Sequence, residues 1–275
     1  MVRGPGDTWA SGDAYEPYVG RWSRRVAHEF LPWLSVEPDR HWLDVGCGTG
    51  ALTETVLAVA APARVMGVEP SEGYLRHARH QINDRRATFE VGNALSLPVT
   101  DESFDAVVSG LVLNFVPDPA QAVREMARAA AGGGVIGAYV WDYAGDMQLM
   151  RYFWDAAVAL DPGARDLDEG VRFPVCGAEP LRRLFLGAGL AGVEVRAIDV
   201  PTPFGDFDDY WTPFLGGQGP APGYAMALTE EHRAGLRDRI RSVLPTADDG
   251  SISLMARAWA ARGRRAGPDA RPQRT

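Results

Sequence analysis

The sequence predicts an α/β fold built on a doubly wound, mostly parallel sheet of seven strands. Three observations point there. Short apolar runs alternate with amphipathic stretches between residues 16 and 141, the rhythm of βαβ units, whose helices run about ten to fifteen residues. A glycine-rich turn, "DVGCGTG" (44–50), joins the first apolar run to a helical pattern. Two more strand patterns, each after a long insertion, bring the count to seven.

In chain order, "EPYVGRWSRRVAHEFLPWL" (16–34) spaces Val19, Trp22, Val26, Phe30 and Trp33 for one helical face, ending at or just after Leu31-Pro32. "HWLDVG" is strand one, and Leu52, Val56 and Val59 mark one face of the next helix. "RVMGVE" (64–69) is strand two, and Ser71 caps a helix running to about Ile82. "ATFEVGN" (87–93) and "FDAVVSGLVL" (104–113) are strands three and four. Asp118-Pro119 opens "AQAVREMARAA" as N-cap and first helical residue. The triplet Gly132-Gly133-Gly134 is expected to end that helix before strand five, "VIGAYVW" (135–141).

Beyond strand five come a helix in "MQLMRYFWDAAVAL", a Pro- and Gly-rich connector to 176, a helix near 178–188 and a strand at 193–200. Residues 201–228, dense in Pro, Gly and aromatics, read as loop, with "GGQGPAPGY" (216–224) as a rigid turn. A polar helix near 229–243 and a strand at 251–262 follow. The expected layout is a flexible stretch 1–14, one domain 15–262 with lid segments 15–36, 142–176 and 201–245, and a disordered tail 263–275. Ligands of such sheets sit outside the carboxyl ends of the strands, the edge from which both insertions leave.

Composition narrows the chemistry. The net charge is −8, which disfavours a nucleic-acid partner. The chain has no Lys, so no Schiff base or Lys general base can form. Only Cys47 and Cys176 are present, with no metal spacing, and no metal is expected. No apolar leader or membrane-length run occurs, so the expected location is the cytoplasm.

The glycine turn supports two cofactors. Gly46-x-Gly48-x-x-Ala51 satisfies a loose dinucleotide fingerprint. Either ligand would want an acid at the end of strand two for its ribose, and Glu69 is there. Asp44 tips the balance. A carboxylate beside the turn repels a pyrophosphate and suits a ligand carrying an ammonium and a sulfonium. "GNALSLP" (92–98) points the same way, with an Asn side chain placed for an adenine edge.

"LDVGCGTG", "VMGVEPS", "GNALSLP", "FDAVVSGLVLNFVPDP" and the strand around Gly134–Val140 together resemble class I S-adenosylmethionine-dependent methyltransferases. The resemblance is to their small-molecule branch, which includes the ubiquinone- and menaquinone-biosynthesis enzymes, and covers about residues 40–141. It implies a Rossmann-like fold and S-adenosylmethionine as cofactor. Asp44, Gly46, Cys47 and Gly48 would line the methionine moiety, and Glu69 would hold the ribose hydroxyls. Pro70 would pack by the adenine, Asn93 and Ala94 would meet its edge, and Ser109 would border the sulfonium. Relatives often carry Asp at the position of Asn93 and His near Asn114. Within the first helix, Arg21 is a candidate for the methionine carboxylate and Tyr18 for the sulfonium, weighed against plain packing.

A sulfonium is already a good leaving group, so alignment and water exclusion carry much of such a reaction. Asp142, Tyr143 and Asn114 are candidate bases where an acceptor must lose a proton. Trp141, Tyr210, Trp211 and Phe214 are expected to line an apolar acceptor pocket. The acceptor would be a small, largely apolar or aromatic molecule methylated on O or C, and a homodimer is possible. Two alternatives stay open: a protein that binds S-adenosylmethionine without transferring methyl groups, and an NAD(P)-dependent oxidoreductase. The bland readings are that Cys47 is a small buried thiol, that the stripe Met147, Met150, Phe153, Trp154, Ala157 and Val158 is core, and that Asp206, Asp208 and Asp209 form a solvated turn.

Overall fold

The computed structural model describes residues 20–217 and 219–267. Among them, seven strands form one sheet in the order β3-β2-β1-β4-β5-β7-β6. The strands are β1 (His41–Val45), β2 (Arg64–Glu69), β3 (Ala87–Val91), β4 (Phe104–Gly110), β5 (Ala130–Trp141), β6 (Ala191–Phe204) and β7 (Ile252–Arg264). The first five pair in parallel, with β1 between β2 and β4. Order therefore reverses beside β1, where a doubly wound sheet opens its ligand crevice.

Two compact units make up the chain. Of the described residues, one holds 23–140, 177–198 and 259–267. Its centre is β1, β2, β4 and β5, where Trp42, Leu43, Val45, Val65, Val68, Val107, Ile136 and Val140 are buried. Around them stand α1 (Arg21–Leu34, from Ser23 onward), α2 (Ala51–Val59), α3 (Glu72–Gln81), α4 (Pro119–Ala129) and, later in the chain, the helix Ala178–Gly187. Ser71 accepts the Tyr74 N–H and Asp118 that of Gln121, so both expected caps are in place. Val59, expected on the inner face of α2, is exposed, and its inner face is instead Leu52, Thr53, Thr55 and Val56.

Three expectations in this unit are corrected. The glycine triplet does not end a helix: α4 stops at Ala129, and the triplet lies inside β5. Phe104 pairs with Ala130 but Ala106 with Val135, so the glycines bulge out of register. Gly133 has φ +79°, and a Cβ on Gly134 would lie 2.9 Å from the Ala131 carbonyl oxygen. Only glycine fits that backbone. Strands three and four end earlier than expected, at Val91 and Gly110. The tail starts later, because Gly263 and Arg264 belong to β7, and the Arg265 N–H donates to the Gly134 carbonyl. Residues 1–14 and 268–275 lie outside the described residues.

Of the described residues, the other unit holds 20–22, 141–176 and 199–258, so both segments expected as insertions, 142–176 and 201–245, fall in it together. It contains α5 (Gln148–Leu160), a short α6 (Glu169–Arg172), then α8 (Phe207–Trp211), α9 (Pro220–Ala227) and α10 (Glu230–Val243), α7 being Ala178–Gly187 of the first unit. Its core is aromatic. Phe153 of α5 stacks on Phe214 at 4.6 Å between ring centroids. Tyr210 meets Phe204 and Phe214, and Trp22 meets Phe204, each at 5.4 Å. The loop expected over 201–228 is thus mostly ordered structure. β6 runs on to Phe204, Asp206 caps α8 through the Asp209 N–H, and Pro220 occupies the first turn of α9, where no N–H is needed. Residues 220–224 of the expected "GGQGPAPGY" turn accordingly lie within α9, and Gln218 lies outside the described residues. No described helix is long and apolar enough to cross a membrane.

Candidate active site

The site is built where β1 ends. Asp44 lies in register with Gly67 of β2 and Val108 of β4 and is 1% exposed. Its Oδ2 accepts the Thr53 hydroxyl at 2.7 Å, and Oδ1 has no partner among the described residues. Burial pushes the carboxyl up to about 7, the negative charge of Glu69 adding to the shift and the Thr53 hydrogen bonds opposing it. An acceptor oxygen left bare in the interior is costly, and here it stands beside a backbone turn.

All three glycines of that turn have left-handed backbones, with φ +74° at Gly46, +54° at Gly48 and +95° at Gly50. They do different jobs. A Cβ at Gly46 would lie 2.5 Å from a Val112 methyl, and one at Gly50 would lie 2.6 Å from the Ile82 side chain. These two serve internal packing. A Cβ at Gly48 would meet nothing within 4 Å. The middle glycine therefore faces open space, where a ligand can approach the backbone.

Glu69, at the end of β2, is 8% exposed. It accepts the Gly48 N–H at 3.3 Å and the Ser71 N–H at 3.0 Å, and burial raises its carboxyl above the usual range. Cys47 is buried, its N–H spent on the Val68 carbonyl. Burial and the charges of Asp44 and Glu69 hold its thiol protonated, which rules out a thiolate nucleophile.

The other predicted residues of this unit are less uniform. Pro70 and Asn93 are exposed and Ala94 is buried. The Asn93 Oδ1 accepts the Leu95 N–H at 2.9 Å, shaping the turn that presents Ala94. Ser109 is fully buried and donates its hydroxyl to the Val45 carbonyl at 2.8 Å, clamping the ends of β4 and β1 together. Asn114 is 7% exposed, and its Nδ2 has no partner among the described residues. It follows Leu111, whose φ of +62° is held by an N–H to the Tyr139 carbonyl at 2.8 Å. Thr53 and Val112 were missed by sequence reasoning. The signal for Thr53 was available: a hydroxyl on the inner face of α2, nine residues after Asp44.

In the other unit, Asp142 is buried and accepts the Asp146 N–H at 3.1 Å, while the Tyr143 ring lies 5.8 Å from Phe173. Trp141 is 1% exposed with its indole N–H unpartnered among the described residues. Tyr210 is fully buried and donates its hydroxyl to the Leu149 carbonyl at 2.9 Å. With Trp211 and Phe214 it belongs to the ring cluster, as does the Met147–Ala157 stripe of α5 to the core. Arg21 does not stand free. It donates to Asp209 at 2.9 Å and lies over the Trp22 ring at 4.3 Å. Tyr18 lies outside the described residues.

A family model for a methyltransferase domain matches residues 43–137. The demethylmenaquinone methyltransferase of Roseiflexus sp. (strain RS-1) is 42% identical over 94 residues, 34% of this chain and 40% of that protein. That of Anoxybacillus flavithermus (strain DSM 21510 / WK1) is 30% identical over 179 residues, 59% of this chain and 75% of the relative. The chain belongs to the class I S-adenosylmethionine-dependent methyltransferase family. Its fold is also that of the family in solved structures: phosphoethanolamine N-methyltransferase 2 of Haemonchus contortus, in complex with S-adenosyl-L-methionine, matches with a TM-score of 0.57 at 16% identity, over 91% of this chain and 56% of that one. The chain spans 40% to 48% of the first curated relatives it matches. For this family member, the family match of 43–137 covers the turn, Asp44, Glu69, Asn93, Ser109 and Asn114, and stops before Trp141 and Asp142.

Proposed function

We propose that the chain binds S-adenosylmethionine and transfers its methyl group to an oxygen or carbon of a small, largely apolar or aromatic molecule. The observation that carries the reading is the pairing of an open backbone at Gly48 with the bare, buried Oδ1 of Asp44. A pyrophosphate beside that carboxyl finds no positive partner there, whereas a cationic ligand satisfies the carboxyl in its ionised form. The residues present thus fit the donor better than a dinucleotide. The demethylmenaquinone methyltransferases among the relatives support a ring-bearing acceptor.

When bound, S-adenosylmethionine supplies an electrophilic methyl group on a sulfonium. The chain's own residues would do the rest. Asp44 offers its carboxyl to the cationic methionine portion, with Gly46, Cys47 and Gly48 lining it through backbone. Glu69, already oriented by two N–H donors, takes the ribose hydroxyls. Pro70, Asn93 and Ala94 border the adenine. Ser109 acts by fixing the strand ends, since its hydroxyl is spent. Asp142 and Tyr143 are the proposed proton acceptors for an acidic acceptor group. Asn114 has an amide with no useful basicity, so its part would be hydrogen bonding. Arg21 and Tyr18 remain proposed for the methionine end, and Trp141, Tyr210, Trp211 and Phe214 for the acceptor side. We further propose a cytoplasmic enzyme without a nucleic-acid partner, acting as one domain and able to form a homodimer.

Calorimetric titration with S-adenosylmethionine, S-adenosylhomocysteine, NAD and NADP tests the cofactor. Binding of the first two alone supports the reading, and binding of a nicotinamide nucleotide instead overturns it. Incubation with S-adenosylmethionine and a panel of phenols and hydroquinones tests the transfer, through a product heavier by one methyl group.

A further inference from the structure

Asp44 and Glu69 set two buried acids against one glycine turn, with no cation among the described residues hydrogen-bonded to either. Among the described residues no Arg hydrogen-bonds either carboxyl. Each element packed around Asp44 bears this out. On α2, Thr53 offers a neutral hydroxyl, and Glu54 points to solvent and pairs with Arg24 of α1. On β2 the facing group is Glu69 itself, and on β4 the residue in register is Val108, which is apolar. Within the turn, the Cys47 thiol stays protonated. Arg79 of α3 is committed to Glu72 and to the Phe89 carbonyl. An uncompensated charge in such a place neutralises rather than remain ionised.

We propose that Asp44 carries a proton in the free chain and releases it when a cationic ligand arrives, and that it thereby sets the site's preference for a charged adenosyl ligand over a neutral one. The proposal rests on the cofactor reading above. The balance is simple: the carboxyl O–H breaks, the proton passes to solvent, and the carboxylate is left facing the ligand's positive charge. The Oδ1 without a partner is the atom that gains it. Burial places the midpoint of this exchange near neutrality, at about 7.

The test uses two probes that share an adenosine and have no group titrating between pH 6 and 8. One is 5′-deoxy-5′-(dimethylsulfonio)adenosine, a permanent cation, and the other is 5′-methylthioadenosine, its neutral thioether. The whole chain is titrated with each by calorimetry at pH 6, 7 and 8, in phosphate and in Tris, whose different ionisation heats count protons. By mass action, a site that must be ionised and has its midpoint near 7 gains about tenfold in affinity from pH 6 to pH 8. The sulfonium should show that gain and release about half a proton at pH 7, while the thioether shows neither. Asp44→Asn should remove the slope and the proton release for the sulfonium, with far-UV circular dichroism reporting that the variant is folded. Sulfonium binding without proton release in the wild-type chain overturns the proposal, as does a slope that survives in Asp44→Asn. If S-adenosylmethionine itself fails to bind the wild-type chain, the cofactor reading falls and takes this proposal with it.

Discussion

Asp44 and Glu169 are the same kind of group in two different settings. Each is a buried carboxyl in one of the two compact units, 1% and 2% exposed, and burial raises each, Asp44 to about 7 and Glu169 to about 8. Around Glu169 the protein has supplied a partner: the Trp154 indole N–H donates to its Oε2. Its neighbour Asp168 is paired with Arg151 at 2.7 Å. The helices about it are locked by stacked and edge-on rings. Around Asp44 the protein has supplied one hydroxyl and then an opening, with Oδ1 bare and Gly48 facing empty space. A buried acid closed in by its own fold is a structural group, whereas one left half-satisfied beside an open backbone is a binding group. The pKa alone does not separate them, and the partner inventory does.

The largest effect expected from this contrast is in the ring cluster. Phe153→Ala should cost about 3–5 kcal/mol of stability, since it empties a fully buried site stacked on Phe214. Urea unfolding followed by tryptophan fluorescence measures it. A cost under 1 kcal/mol would mean that the cluster is not the core of its unit.

Next in size is the pair Gly46→Ala and Gly48→Ala. Both impose a side chain on a left-handed backbone, at about 1–2 kcal/mol. Only Gly46→Ala also drives a methyl into Val112, adding about 1–3 kcal/mol. Gly46→Ala should therefore lower the melting temperature clearly more. Gly48→Ala should spare the fold and weaken S-adenosylmethionine binding at least tenfold. Equal melting temperatures with equal affinities would break the division of labour between the two glycines.

The smallest effect concerns the pH dependence of stability. Glu169 has a folded-state value raised from 4.5 to about 8, so the unfolded chain ionises first as pH rises. The stability this group contributes is complete below about 4.5 and is lost as pH climbs through about 8. Between pH 6 and 8.5 the wild-type melting temperature should fall by several degrees more than that of Glu169→Gln, which keeps the shape and an acceptor for Trp154. Parallel curves in differential scanning calorimetry would assign the pH dependence to other groups.

Much of the first unit was legible from local pattern. Strand runs such as Ala106–Val108 are apolar because both faces are covered, the Ser71 and Asp118 caps are short-range hydrogen bonds, and the glycine turn is written in consecutive residues. Two kinds of feature were not legible. The triplet 132–134 looks like a helix stop until its bulge is seen to pair with Arg265, more than a hundred residues away. Residues 201–228 look like loop because Pro and Gly are read as breakers, yet Pro220 sits where a helix tolerates it, and Phe204, Tyr210 and Phe214 are held by rings elsewhere in the chain. Site residues divide similarly. Asp44 and Glu69 could be named from their positions, while the engagement of Ser109 with Val45, of Tyr210 with Leu149 and of Arg21 with Asp209 could not.

By itself, then, the sequence determined the alternation of strands and helices, the glycine turn and the acids at the ends of β1 and β2, because these depend on periodicity, capping and backbone freedom within a few residues. Only the tertiary structure decided which polar atoms were already satisfied and which were left bare. That depends on contacts between residues far apart in the chain, and a buried group's chemistry follows from the partners that the fold brings to it.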